Sequence, residues 1–341
     1  MTPPTSKTND PAPLLRFATA SDLPAVRAFL AENFPPDSHQ NRPGWLEWQL
    51  ASPLGTQVAV AMVDGELAGL SLLLRVRVNL AGVGEADGAF ATSTMVSTRF
   101  RRRGIGSALH HLRAEHYGYA LSTGQSTANS KVYERLGFST VAEFSEFLLS
   151  PRWPRFFPRK RWLRHLLSWG RWRLKRAAKP GDRALRLESS PGGAFAVPDE
   201  WFRARAGGAF RLCITSNAYL EWRYADHPYL EYASSWILDG ERPVGVVIHR
   251  ALANGELRVV DLYCGPGDLP AALSAFCRLA PATHIAGVVA GKGLSEAFAE
   301  AGFQVFPHGS QILGKTLRPD LEAPLTDGRW GFLAGDSDKD R

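Results

Sequence analysis

Residues 99–107 read Arg99-Phe100-Arg101-Arg102-Arg103-Gly104-Ile105-Gly106-Ser107, four arginines and two glycines in nine positions. They follow an apolar run that ends near Val96 and precede a helical pattern that starts near Ile105. At such a strand-to-helix turn successive backbone N–H groups converge, and the helix dipole adds roughly half a positive charge. Glycine lets the backbone approach a ligand closely, and arginine meets phosphate with a planar fork of donors. The chemistry implied is capture of a polyphosphate anion. The turn is not a Walker loop, lacking Gly-Lys-Ser/Thr, and not a G-x-G-x-x-G dinucleotide turn. Metal chemistry is not expected. His110-His111 has no ligand-spaced partner, and Asp336-Ser337-Asp338-Lys339-Asp340 lacks the glycine and distal glutamate of a calcium loop.

The elements that must hold this turn form a pattern that occurs twice. Trp45-Leu46-Glu47-Trp48-Gln49 is echoed by Tyr219-Leu220-Glu221-Trp222-Arg223, 174 residues later. An Asp-Gly hairpin signal follows each copy, at Asp64-Gly65 and Asp239-Gly240. Tyr133-Glu134-Arg135-Leu136-Gly137-Phe138 is matched near the end by Phe298-Ala299-Glu300-Ala301-Gly302-Phe303. Three echoes in one order imply two copies of one α/β fold. The boundaries expected are a disordered tail at 1–13, a first domain at 14–150, a linker at 151–183, a second domain at 184–336 and an acidic tail at 337–341. In the first copy, strands are expected at 14–19, 57–63, 67–79, 86–97, 119–122 and 139–149. Helices are expected from 22 to 33, at 105–117 and at 129–136. In the second copy a strand pair at 233–250, a strand at 256–263 and a helix at 268–279 repeat the plan. The turn before that helix, Cys264-Gly265-Pro266-Gly267, has no arginine, and its proline lacks an N–H.

The 341 residues carry a formal charge of +7, but the excess sits in one place. Between Pro151 and Pro180 there are eleven Lys/Arg and no acid; outside it, 29 basic residues face 33 acidic ones. The same segment holds four of the ten tryptophans. On a helical wheel Trp162, Leu163, Leu166, Leu167, Trp169 and Leu174 share about half the circumference and the arginines take the other half, with Trp172 and Arg173 as exceptions. This is a basic amphipathic helix, suited to interdomain packing or, through 152–176, to an anionic membrane surface. Nucleic acid is the weaker match, since no recognised module accompanies the charge. No apolar run reaches the ~18 residues of a membrane span. The start lacks a signal-peptide pattern, and three cysteines without paired spacing fit a reducing compartment. A cytoplasmic protein, peripheral to the inner face of the membrane if the helix docks there, is the expectation.

Arg101-x-x-Gly104-x-Gly106, preceded by Val96 and followed by Asn129-x-x-x-Tyr133-Glu134-Arg135-Leu136-Gly137-Phe138, resembles the signature of the GNAT N-acetyltransferases. The resemblance covers 14–150; the second copy shares the pattern but not the arginine turn. It implies two tandem GNAT-like domains of α/β (α+β) class, each a mixed, mostly antiparallel twisted sheet flanked by helices. It implies acetyl-CoA, or another acyl-CoA, as co-substrate without a metal. Arg101, Arg102, Arg103, Gly104, Ile105, Gly106 and Ser107 would face the pyrophosphate. Backbone at Met95 and Val96 would hold the pantetheine arm and the thioester, Asn129 would touch the arm, and Tyr133 would protonate the leaving thiolate. Many family members carry a glutamate six residues before the position of Val96. Here that residue is Phe90, so the base is expected from Asp87, if a bulge turns it inward, from water, or from the second copy.

The function implied is transfer of an acetyl or short acyl group from CoA to an amine acceptor, by direct attack in a ternary complex. An amino sugar or an envelope precursor is the acceptor class that a membrane-docked helix would favour. The competing reading is an inactive acyl-CoA sensor or membrane adaptor. Tyr224, His227, Tyr229 and Tyr232 are candidate pocket residues, and the Leu-Glu-Trp repeats are expected to be core anchors.

Overall fold

The computed structural model describes residues 12–80, 84–123, 127–150, 166–170, 172–173, 185–191, 195–203, 212–265, 267–282 and 284–336. The first half runs β1 (Leu14–Phe17), α1 (Leu23–Asn33), α2 (Trp45–Leu50), β2 (Thr56–Val63), β3 (Glu66–Asn79), β4 (Glu85–Val96), α3 (Ile105–His116), β5 (Tyr119–Thr123), α4 (Thr127–Arg135) and β6 (Ser139–Leu149). The second runs β7 (Leu185–Pro191), α5 (Asp199–Arg203), β8 (Leu212–Ile214), α6 (Asn217–Leu220), β9 (Ala233–Asp239), β10 (Arg242–Ala251), β11 (Glu256–Cys264), α7 (Leu269–Leu279), β12 (His284–Ala290), α8 (Lys292–Ala301), β13 (Gln304–Lys315), α9 (Pro319–Thr326) and β14 (Phe332–Leu333). The element types and order anticipated for both copies are present. The Asp64-Gly65 turn joins β2 to β3 with both residues at positive φ, 51° and 78°, the conformation that a two-residue hairpin needs to match strand twist.

The strands form one continuous sheet, in the order β1-β2-β3-β4-β5-β13-β6-β12-β11-β10-β9-β7. The two halves therefore exchange β6 and β13. β13, from the second half, pairs with β5 from Ile312↔Thr123 to Lys315↔Ala120, and β6, from the first, pairs with β12 from Ile285↔Leu149 to Ala290↔Phe144. β6 and β13 meet at the centre as antiparallel neighbours. β8 reaches back as well, pairing with the end of β3. The sequence boundary at 150 thus does not coincide with a break in the sheet.

The echoed motifs lie about this centre as a matched set. Trp48 and Trp222 stack at 4.9 Å, nearly parallel. Each indole N–H donates to the other's carbonyl, Trp48 Nε1 to Trp222 O at 2.8 Å and Trp222 Nε1 to Trp48 O at 2.6 Å. This is a self-complementary contact of the kind a two-fold interface makes, inside one chain. The third echo is a pair of identical helix ends. Phe138 N donates to Tyr133 O and Gly137 N to Glu134 O, as Phe303 N donates to Phe298 O and Gly302 N to Ala299 O, with both glycines at positive φ. Lys315 of the exchanged strand caps α4 through Leu136 O.

Most of the basic segment lies outside the described residues. In the described part, Ser168 and Trp172 face inward, while of the expected apolar arc Leu166 and Trp169 are half-buried and Leu167 is exposed. Ser168 Oγ donates to Leu148 O at 3.2 Å and accepts from Ser150 N at 3.1 Å. Trp172 is buried against the core that includes Phe147 and Leu149, whereas Leu167 is 55% exposed. Positions four apart share a helix face, and here that face is set by the end of β6 and not by the count of apolar residues.

Candidate active site

β4 and β5 run parallel for four rungs, Gly88↔Tyr119 to Ala91↔Ser122, and then part. A bulge at Thr92, where the β3 register steps from Leu73↔Ala91 to Leu72↔Ser93, re-aims the strand at that point. Ser93 to Val96 keep their β3 partners but, among the described residues, have none on the β5 side. The result is a fork with strand edges free for a ligand, and Met95 and Val96 form the outer end of one arm.

The arginine turn closes the fork's outer end. Phe100 and Ile105 are buried and anchor it from both sides, while residues 101–104 stay exposed. Arg101 Nε donates to Val96 O at 3.3 Å. Arg99 and Arg103 lie over the Phe100 ring at 5.0 and 5.4 Å, and Arg99 also pairs with Glu66 at 2.7 Å. Arg102 adopts φ 66°, rare for a side chain with a Cβ.

The two glycines have different causes. Gly104 is the N-cap of α3 at φ 78°, a conformation that glycine adopts without cost. At Gly106 φ is ordinary, and an added Cβ would meet nothing nearer than Val96 Cγ2 at 3.8 Å. The fold has room for alanine there; a group approaching the helix start from outside would not. Ser107 lies on the first turn of α3, half-buried. Exposed cations, a helix N-terminus and this vacant space fit a bound pyrophosphate.

Tyr133 is brought to the fork from α4. Its hydroxyl accepts from Ser122 Oγ at 2.8 Å, and Ser122 belongs to the last β4–β5 rung. The ring packs on His110 at 4.5 Å and Phe138 at 4.8 Å. Beneath it Arg113 is wholly buried, with Nη1 donating to Leu121 O at 3.0 Å and the guanidinium over Phe138 at 5.4 Å. Burial pushes Arg113 down, with the Tyr133 hydroxyl opposing, while burial and then the Arg113 charge push His110 down to about 3. Ser122 and Arg113 were not singled out from the sequence, and His110, which reads there as a surface histidine without a metal partner, is buried. The available signal was that His110 and Arg113 share the inward face of α3 with Leu109 and Ala114. Asn129 lies on α4 one turn before Tyr133.

Asp87 is not brought to the fork. It sits near the start of β4, about 16 Å of strand before Thr92, where its Oδ1 accepts from Gly118 N at 3.3 Å. The bulge needed to turn it inward is at Thr92 instead. Phe90 is fully buried, edge-on to Phe332 at 5.8 Å, so an aromatic pair stands where a carboxylate was sought. The tyrosine-rich stretch packs within the second half and, through His227 and Tyr229, against the first. Tyr224 donates to Asp261 Oδ2 at 2.8 Å, His227 tilts on Trp48 at 4.5 Å, Arg42 lies over Tyr229 at 5.1 Å, and Tyr232 packs on Tyr224 at 4.9 Å. A cavity of about 580 Å³ lies away from the arginine turn, between β6 and the start of α8, lined in part by Glu143, Lys292 and Glu296.

Residues 23–138 match the model of the acetyltransferase (GNAT) family. No curated protein matches the chain significantly. Solved structures do: a GCN5-related N-acetyltransferase from Anabaena variabilis (TM-score 0.62, 11% identity, 89% of this chain and 73% of that one), another from Kribbella flavida (0.56, 14%, 90% and 72%) and Eis1 from Mycobacterium abscessus (0.55, 17%, 91% and 74%). At these identities the likeness is one of fold, and it extends over both halves.

Proposed function

With residues 23–138 a domain of the GNAT acetyltransferase family, we propose that the chain moves an acetyl or other short acyl group from CoA to an amine acceptor, at the fork between β4 and β5. The observation that carries this reading is the meeting of three parts at one place: the strand arm at Met95 and Val96, the arginine turn, and Tyr133 tied to the last rung through Ser122.

Arg101, Arg102 and Arg103, with the amides from Gly104 to Ser107, would hold the pyrophosphate, and the free strand edge would hold the pantetheine arm. Asn129, one turn before Tyr133 in the chain, would touch the same arm. Acyl-CoA supplies an activated thioester. An amine of lysine-like pKa, ~10.4, is protonated at neutral pH and must shed a proton before attack. A backbone N–H at the strand end stabilises the charge that develops on the carbonyl oxygen. Tyr133 delivers the proton that the departing thiolate needs, and the Ser122 bond fixes its oxygen. Holding both reactants together supplies much of the remaining rate. Because Phe90, packed edge-on against Phe332, occupies the rung where a carboxylate would serve as base, the acceptor's proton leaves through solvent in this reading, and the rate follows ionisation of the acceptor.

Amino sugars and envelope precursors head the acceptor panel. The test is release of CoA thiol from acetyl-CoA across that panel. Turnover with an amine, slowed by Tyr133→Phe with acetyl-CoA binding retained, supports the reading. Binding without turnover on any amine favours an acyl-CoA sensor.

A further inference from the structure

The second half has a fork too. β11 and β12 are parallel from Glu256↔His284 to Val259↔Gly287 and then part, with a bulge at Val260 that matches the one at Thr92. What fills it differs. β14 pairs with β12 at Val289↔Leu333 and Ala290↔Phe332, while the other edge of those same residues is taken by β6 at Ser145 and Phe144. β14 therefore lies on the edge that β11 has left, inside the fork. An extended segment there fills the gap that an extended cofactor arm would have to enter.

The segment is fastened at several points. Leu333 N donates to Asp336 Oδ2 at 2.8 Å, and Tyr219 donates its hydroxyl to Gly335 O at 3.1 Å. Asp261, at the bulge of β11, accepts from Tyr224 and Tyr263 on Oδ2 at 2.8 and 2.7 Å. Gly335 lies against this cluster so closely that an added Cβ would stand 1.8 Å from the Tyr224 hydroxyl and 2.8 Å from Asp261 Oδ2. Residues 332–336 are all buried. The phosphate end of the second fork is unsuited as well: the N-cap of α7 is Asp268, a carboxylate where the first half offers arginines.

The geometry points to Phe332–Asp336 as a tethered occupant of the second fork, so that the chain takes up a single acyl-CoA, at the first fork. This rests on the proposed function for the site count and on the strand pairing alone for the occupancy. The occupant also reaches the first half. Phe332 is edge-on to Phe90 of β4, and Trp330 is edge-on to Tyr119 of β5 at 5.3 Å and stacks on Phe332 at 5.6 Å. It thus braces β4 and β5 just before they part.

Hydrogen exchange of the full chain tests the occupancy without any ligand. The Leu333 amide is expected to exchange at least about 100-fold more slowly than in a free peptide, as a bonded, buried amide does; exchange at the free-peptide rate overturns the proposal. In Gly335→Val, and in the milder Asp336→Asn, that protection is expected to fall while the amides of β2 and β3 keep theirs; retained protection at 333 in both variants overturns it. Calorimetric titration with CoA tests the site count. One equivalent is expected for the full chain and none for full-length Gly106→Val, in which only the first site is obstructed. Two equivalents, or one remaining in Gly106→Val, overturns the proposal. Protection at Leu333 with no CoA bound by the unaltered chain upholds the occupancy and instead removes the proposed function.

Discussion

Replacing Gly106 by alanine is expected to stabilise the free protein and weaken its hold on acetyl-CoA. The added methyl lies at ordinary contact distance from Val96 Cγ2, 3.8 Å, and φ requires no glycine, so the fold accommodates it. Alanine in a helix is favoured over glycine by up to about 1 kcal/mol, which for a chain of this size raises Tm by about 2 °C. In the complex the same methyl stands where a phosphate must approach the amides at the start of α3. Losing one charge-assisted contact costs about 2 to 3 kcal/mol, roughly 30- to 150-fold in Kd. Scanning calorimetry of the free protein and isothermal titration with acetyl-CoA measure the two effects separately. A Kd within a factor of three of the unaltered protein would refute the reasoning, because the space at Gly106 would then serve no ligand. A Tm lowered by several degrees would also refute it, since the glycine would then be a demand of the fold.

Other consequences can be measured independently. Tyr133→Phe is expected to reduce thiol release about 10- to 1,000-fold with acetyl-CoA affinity unchanged, and Ser122→Ala to reduce it less, as judged by a thiol-reactive dye. Trp48→Ala and Trp222→Ala should each cost about 3 to 5 kcal/mol in urea unfolding, with the double variant well short of the sum, because each removal already breaks the shared stack. Burial holds His249 down at about 4 and His110, with Arg113 beside it, at about 3. Both are neutral in the fold and charge readily once unfolded, so stability is full above pH 6.5 and falls as pH drops from there toward 4. In His249→Asn the loss between pH 6.5 and 4 should shrink by on the order of 1 to 3 kcal/mol in chemical denaturation at each pH. Glu256 tends upward through burial, but the His284 hydrogen bond and the charge of Arg258 outweigh this and hold it at about 2. Its contribution is present above pH 4.5 and lost as pH falls toward 2, and Glu256→Gln should flatten that acid limb.

The parts of this molecule legible in the sequence were those fixed by local chemistry. The Asp64-Gly65 turn, the glycine-ended helices at Gly137 and Gly302, and the apolar runs of β2 to β4 each depend on a few neighbouring residues. The 174-residue echo was legible as repetition, but its meaning was not: two tryptophans stacked on each other satisfy a pairing that no local pattern encodes. The exchange of β6 and β13 was hidden for the same reason, since either strand carries apolar residues suited to either neighbour. β14 is two residues long, too short for any periodicity. At the site, the arginine turn and Tyr133 were visible because glycine and arginine spacing is specific to the chemistry. Asp87 misled because a bulge could be placed at either end of β4 from sequence, and β3 fixes it at Thr92. Ser122 matters only through its place on the last rung, which is a property of the sheet.

The central claim is that the β4–β5 fork with its arginine turn receives acyl-CoA. Thermal unfolding of the full chain with increasing acetyl-CoA tests it most directly, since a ligand bound to the folded state alone adds RT ln(1 + [L]/Kd). The account predicts a Tm that climbs steadily with ligand in the unaltered protein and stays flat in Gly106→Val. A Tm indifferent to acetyl-CoA in the unaltered chain, up to millimolar ligand, would contradict it.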